Sequence, residues 1–260
     1  MSSLAPSSPA RPSRRAVASA LAWSVPVVAV GAAAPRAAAS PCPPQAYTLD
    51  WSQSTGTVYT RSSSQSGTAV VDPDGAGPVA PVTLSISSTL TGAMSTGNES
   101  GTQNQNLRVS PTTVGGTSSR GLQLEQTVTG SRSSAPGRSA RQTVTFTFSE
   151  PIRDLRFTMT DIDATQGDFI DMVELSPGFT SAYDDRYLRG NGTQASPLRP
   201  VYWGDRPTSS NLGNATITYA GPLTSFTVVY WNAESQFSNA DRNQIVTFTN
   251  FDFQVVRNSC

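Results

Sequence analysis

Histidine and lysine are both missing from this chain of 260 residues, and only two cysteines occur. These absences close most residue-based catalysis. Without histidine there is no Ser-His-Asp or Cys-His relay, no histidine-bound zinc and no imidazole base. Without lysine there is no Schiff base and no Ser-Lys dyad. No glycine-rich loop leads into a helix as a phosphate cradle would. Charged residues are sparse at 14%, and with arginine as the sole basic residue no basic patch marks a nucleic-acid surface. An enzyme would have to work with carboxylates, tyrosine or arginine. Glycoside cleavage by two carboxylates is the common class left open.

Helical periodicity is also missing once the N-terminal stretch is set aside. Residues 1–39 read as a signal peptide: a basic start ending in Arg14 and Arg15, the apolar run "AVASALAWSVPVVAVGAAA", and Ala37, Ala38 and Ala39 as a small-residue cleavage site. Pro26 interrupts the apolar run, which favours a cleaved signal over a membrane anchor. Ser13, Arg14 and Arg15 suggest the twin-arginine route. The phrase "AWSVPVVAV" resembles export leaders of secreted actinobacterial proteins. That resemblance implies export to an extracellular location and nothing about the mature activity. The remainder, 40–260, is expected to form one domain carrying fourteen arginines against eighteen acids, a formal charge of −4. No membrane span is expected after cleavage.

Cys42 and Cys260 sit at opposite ends of that mature chain. In an oxidising compartment one bridge between them is the natural expectation, and it leaves no thiolate for chemistry. Loop-closure entropy sets a ceiling of roughly 5 kcal/mol on its contribution. Pro41 before Cys42 disfavours the rival reading of a lipid-modified cysteine.

What fills the mature chain is alternation with period two. "YTLDW" puts Tyr47, Leu49 and Trp51 on one face; "VTLSI" does so with Val82, Leu84 and Ile86; "VTFTF" with Val144, Phe146 and Phe148. "LQLEQTV", "ATITY", "SFTVVYW" and "QIVTFTNFDFQVV" continue the pattern. Strands with one face in a core and one in water give this signature. Ten or more such strands predict an all-β fold, an antiparallel β-sandwich of jelly-roll-like type. Val246 and Phe248 change parity against Phe251 and Phe253, so a bulge is expected near Thr249 and Asn250. Three stretches, 91–119, 130–141 and 176–211, read as long loops, the last rich in aromatic and charged residues.

Residues 160–175, "TDIDATQGDFIDMVEL", gather four aspartates and a glutamate in a sparsely charged chain. Extending the parity of Leu155, Phe157 and Met159 carries Asp161 and Asp163 onto the core-facing side. Asp171 shares its parity with Phe169, Val173 and Leu175. A hairpin turning at Ala164–Asp168 through Gly167 then sets Asp161 opposite Asp171, with Cβ atoms about 5 Å apart. Facing carboxylates need a cation, an arginine, a shared proton or water. Asp161, Asp163 and Asp171 are therefore candidate calcium ligands. The alternatives are pairing with Arg153, Arg156 or Arg186, simple solvation, or catalysis. The segment "VTFTFSEPIRDLRFTMTDIDATQGDFIDMVEL" resembles one that recurs in bacterial secreted and surface β-sandwich proteins. The resemblance implies an extracellular binding or adhesion module, with Asp161, Asp163 and Asp171 at the matching positions.

Two aromatic pairs complete the candidates. Tyr202 and Trp203, followed by Asp205 and Arg206, suit a sugar: the ring packs on the apolar sugar face while polar neighbours bind hydroxyls. Trp231, closing the apolar strand "SFTVVYW", is expected in the core. The leading expectation is a secreted, non-catalytic β-sandwich that binds an extracellular glycan or cell-surface component, with calcium as a candidate structural ion. A structural or adhesive surface protein without a small ligand and a carboxylate-dependent glycosidase are the alternatives.

Overall fold

The computed structural model describes residues 42–54, 56–97, 104–238 and 243–257. The expected leader and Cys260 lie outside them. In chain order the strands are β1 (Gln45–Leu49), β2 (Thr57–Arg61), β3 (Ser66–Val71), β4 (Val82–Thr91), β5 (Met94–Thr96), β6 (Leu122–Val128), β7 (Arg141–Thr160) and β8 (Ala164–Thr165). They continue with β9 (Phe169–Leu175), β10 (Phe179–Tyr183), β11 (Leu188–Arg189), β12 (Arg199–Pro200), β13 (Ala215–Tyr219), β14 (Leu223–Asn232), β15 (Asn243–Phe248) and β16 (Phe251–Val255).

β7 organises the molecule. Its twenty residues serve two layers in succession. The first half lies between β4 and β14, with Phe146 opposite both Ile86 and Phe226. That layer runs β2-β3-β4-β7-β14-β9-β8. The second half pairs with β13 on one side and with β16 and then β15 on the other, and β1 and β10 extend this layer outward. The switch has a visible cause. Buried side chains fall on even positions through Ile152 and on odd positions from Leu155 to Met159. Asp154 between them has φ +51, and the β16 register slips by one residue there. A bulge with one residue in the left-handed region bends and twists a strand, which is how a strand leaves one sheet for the other at a sandwich corner.

The two layers close on an aromatic core. Phe146 stacks on Phe226 at 4.7 Å between ring centres, and Phe157 stacks on Phe226 at 5.4 Å. Phe251 stands 4.8 Å from Phe157 and 5.6 Å from Phe146. These rings come from both halves of β7 and from β14 and β16, so one cluster ties the layers together. Trp51 is fully buried and donates its indole N–H to the Thr249 carbonyl at 2.9 Å, which lets a large amphipathic ring enter the core without stranding a donor. The expected antiparallel β-sandwich is what the chain forms.

The expected break near Thr249 is present: β15 ends at Phe248, β16 begins at Phe251, and both phenylalanines are buried. β1 pairs with β16, Gln45 opposite Val255, so the chain just after Cys42 and the chain approaching the C-terminus share one edge.

Two of the three expected loops differ from the reading. Within 91–119, β5 forms, and Asn106, Leu107 and Val114 are buried against the sandwich. Isolated apolar residues in a polar stretch do not alternate, so periodicity overlooks them. Within 176–211 the chain adds β10 to the β13 edge and folds β11 on β12, with Leu188 and Leu198 buried. The stretch 130–141 carries a short 3-10 turn, Gly137–Ser139.

Candidate functional site

The acidic stretch does not make the expected hairpin. Phe157 pairs with Ile217 on β13, while Leu175 pairs with Val228 on β14, so the two halves belong to opposite layers. β7 stops at Thr160, and Asp161 turns the chain with φ +68, a left-handed conformation that aspartate tolerates better than most residues. That turn ends the alternation from which Asp161 was set opposite Asp171.

A shorter hairpin forms instead. β8 pairs with β9, Ala164 opposite Ile170 and Thr165 opposite Phe169. Asp163 is thereby the residue that meets Asp171: Asp171 N–H donates to the Asp163 carbonyl at 3.1 Å, and Asp163 N–H donates to Asp171 Oδ2 at 3.0 Å. Gly167 holds the tip at φ +79, and a Cβ there would come within 2.1 Å of Ser238 Oγ. Glu234 accepts from Gly167 N–H at 2.9 Å and pins the turn to the chain beyond β14.

The loop bearing the aromatic pair is stitched to this hairpin. Gly204 N–H donates to the Ala164 carbonyl at 2.7 Å, and Arg206 N–H donates to Asp163 Oδ2 at 2.6 Å. The two regions singled out separately in the sequence thus form one site. Asp161, Asp163, Thr165, Asp168, Asp205 and Arg206 line a cavity of about 520 Å³, closed on a further side by Asn243 and Gln244 of β15. Tyr202 and Trp203 lie on the same loop, 63% and 50% exposed, the two most exposed large aromatic side chains among the described residues. Neither ring lines the cavity; both belong to the loop that supplies Asp205 and Arg206 to its wall.

Asp171 is not a lining residue. It is fully buried behind the cavity, where Oδ1 accepts from the Tyr230 hydroxyl at 2.6 Å and from Gln244 Nε2 at 2.8 Å. Burial foremost, then the neighbouring Asp163 charge, holds its carboxyl well above the usual range, and the donors pull it only part-way back. Burial and Asp205 raise Asp161 to about 7. Burial, with Asp161 adding to it, raises Asp163 to about 8 against the opposing Arg206 N–H bond. The site therefore carries less negative charge at neutral pH than its aspartates suggest.

The arginines expected as partners are elsewhere. Arg186 pairs with Asp184, and Arg153 and Arg156 lie on the exposed face of β7. Among the described residues no three acidic side chains stand close enough to hold a metal ion together. Trp231 also differs from expectation. Tyr230 takes the core position, while Trp231 is half-buried and donates its indole N–H to Glu174 at 2.9 Å. Sequence reasoning missed Tyr230 and Gln244 as partners of Asp171. Each sits on the buried parity of its strand, and a polar group there is the signal that could have found them.

No family model matches this chain, and no curated protein matches it in sequence. Among solved structures it is similar to the glucan-binding protein C of Streptococcus mutans, at 9% identity and a TM-score of 0.34. The match covers 80% of this chain and 60% of that one. That structure was presented as evidence that its protein mediates both sucrose-independent and sucrose-dependent adherence. A likeness this distant carries no functional conclusion across.

No helix among the described residues is long and apolar enough to cross a membrane.

Proposed function

We propose that the protein is an exported, non-catalytic β-sandwich that binds a glycan in the cavity between the β8–β9 hairpin and the 202–208 loop. The observation that carries this reading is the junction itself: exposed Tyr202 and Trp203 are fixed, through the Gly204 and Arg206 backbone, to the wall of a cavity lined by carboxylate, hydroxyl and amide groups. Sugars present apolar ring faces and hydroxyl edges, and a site offering aromatic rings beside polar acceptors answers both. The cavity lies within the range typical of small-ligand sites, about 300–1,000 Å³. The leader expected in the sequence supplies export, and calcium stays with this reading as a candidate ion.

A glycan array followed by titration calorimetry tests it. Binding is expected, with a loss of about tenfold or more in Trp203→Ala, the effect of removing an aromatic anchor. An array blank for neutral, amino and acidic glycans would sink the reading. So would a Trp203→Ala protein that binds as the parent does.

One observation favours a second reading. Asp161, held at about 7 in a cavity, has the character of a general acid. Release of new reducing ends from an oligosaccharide, lost in Asp161→Asn, would replace binding with hydrolysis.

A further inference from the structure

We propose that the glycan is an acidic one whose carboxylates lie along the β11–β12 ribbon, beside the cavity; the proposal rests on the sugar-binding reading above and names its substrate class. Arg189 and Arg199 stand directly opposite each other in that ribbon, and both side chains are exposed. Like charges at cross-strand spacing, with Cβ atoms about 5 Å apart, repel one another. Neither guanidinium has an ion pair or a hydrogen bond among the described residues. The ribbon is held from behind. Leu188 and Leu198 are buried in the core, and Leu198 exchanges both backbone hydrogen bonds with Val173 of β9. The arginines are thus presented on a fixed surface.

A third guanidinium stands at the end of the ribbon. Val201 N–H donates to the Tyr187 carbonyl at 2.9 Å, one step past the Leu188–Pro200 pair, and Arg206 lies over the Tyr187 ring, 5.3 Å from its centre. It too makes no ion pair among the described residues. The acids of this stretch act elsewhere: Asp184 binds Arg186, Asp185 bears on the same arginine, and Asp205 bears on Asp161. The aromatic pair is an independent observation. Tyr202 and Trp203 follow Arg199 in the chain, Trp203 at most about 14 Å beyond it, and both rings are exposed. Arginine takes a carboxylate through paired parallel bonds, and aromatic rings take the apolar faces of sugars. A uronate chain offers both, and a neutral glycan would leave the Arg189–Arg199 repulsion unrelieved. An anionic lipid surface would meet Asp184, Asp185 and Asp205 together with the arginines. A single chain can follow the arginines and leave those aspartates in water.

The test is titration calorimetry of the whole mature protein, in chelator, with galacturonate hexamers and with the same hexamers after reduction of their carboxyls to alcohols. The acidic hexamer is expected to bind about tenfold tighter or more at low salt, with the gap narrowing in half-molar salt as screening grows. In the double variant Arg189→Gln with Arg199→Gln the preference is expected to fall to within about threefold. Its Tm is expected to equal or exceed the parent's, because a repulsive pair has been removed. Trp203→Ala is expected to weaken both hexamers. Equal affinity of the parent for the two hexamers overturns the acidic-glycan proposal and leaves the sugar reading standing. So does a double variant that keeps the parent's preference. Sedimentation with phosphatidylglycerol vesicles, lost in the double variant and without binding of the acidic hexamer, overturns it in favour of a membrane surface. Absence of binding by both hexamers also overturns it, and the glycan array then decides whether the sugar reading falls as well.

Discussion

Replacing Asp161 by asparagine should make the protein more stable at pH 8 and leave it nearly unchanged at pH 4. Burial and Asp205 hold the folded carboxyl at about 7 against an ordinary value of 3.8. Below 3.8 the group is protonated whether the chain is folded or not, and it contributes nothing. Between those values the folded chain holds a proton that the unfolded chain has released. Stability therefore falls as pH rises through this window, by about 1.4 kcal/mol for each pH unit. Across the window the loss reaches about 4 kcal/mol as a ceiling. Asp161 keeps some contact with solvent, and screening reduces this to roughly 2 kcal/mol. Asparagine keeps the shape and never ionises, so its gain over the parent should appear across the same window. In a domain of this size roughly 2 kcal/mol corresponds to about 4–8 °C in Tm. Differential scanning calorimetry of parent and Asp161→Asn at unit pH steps from 4 to 9 reads the difference directly. Carboxylates away from the site cancel in that comparison, and the relief of Asp163, whose carboxyl the Asp161 charge helps to raise, adds to the same gain. Parallel curves for the two proteins, or a variant less stable than the parent at pH 8, would refute the claim that Asp161 is a desolvated acid.

Two further substitutions probe the frame of the site. Tyr230→Phe removes one of the two donors to buried Asp171 Oδ1, the 2.6 Å bond, and leaves the Gln244 bond in place, so it should cost about 0.5–1.5 kcal/mol, the usual net worth of one hydrogen bond, seen as a lower urea midpoint with unchanged slope; a midpoint equal to the parent's would mean the hydroxyl adds nothing. Gly167→Ala puts a Cβ 2.1 Å from Ser238 Oγ at φ +79, so the hairpin tip must shift; faster amide exchange confined to the tip is expected, and protection equal to the parent's would show that the turn is not pinned as drawn.

Much of the fold could be read from alternation because alternation reports which face of a strand is buried. It does not report which strand lies alongside. "VTFTF" and "LRFTM" both show their buried parity plainly, yet nothing in either says that they are one strand crossing two layers. The decisive residue is Asp154, whose positive φ flips the parity between Ile152 and Leu155. The acidic stretch failed for the same reason on a smaller scale. Asp161 continues the parity of Met159 on paper, but its own left-handed turn ends the strand. Asp163 and Asp171 still meet, because the Gly167 turn was legible and fixes a local register that long-range pairing cannot disturb. The union of Asp163 with the Trp203 loop was beyond reach. It depends on two backbone hydrogen bonds, Gly204 to Ala164 and Arg206 to Asp163, and backbone groups carry no sequence signal.

Asp171 shows why such a site can persist at the end of a sandwich. A fully buried carboxyl is costly in isolation, and its usual escape is to stay protonated. Here it also receives donors from three separate pieces of chain: Tyr230 on β14, Gln244 on β15 and the Asp163 backbone ahead of β8. An apolar residue in its place would pack, but it would no longer require those three strands to end at the same level. Its neighbour in the β14 register, Asn232, repeats the device by accepting from Ile170 and Glu234 N–H groups. The polar residues at these buried positions prevent the layers from closing to the end of the sheet by apolar packing alone. They leave a walled space lined by Asp161, Asp163 and Asp205, and Asp205 lies two residues along the chain from exposed Trp203. The cavity thus follows from how the strand ends are satisfied, and any substitution that makes those ends apolar should shrink it before it unfolds the sandwich.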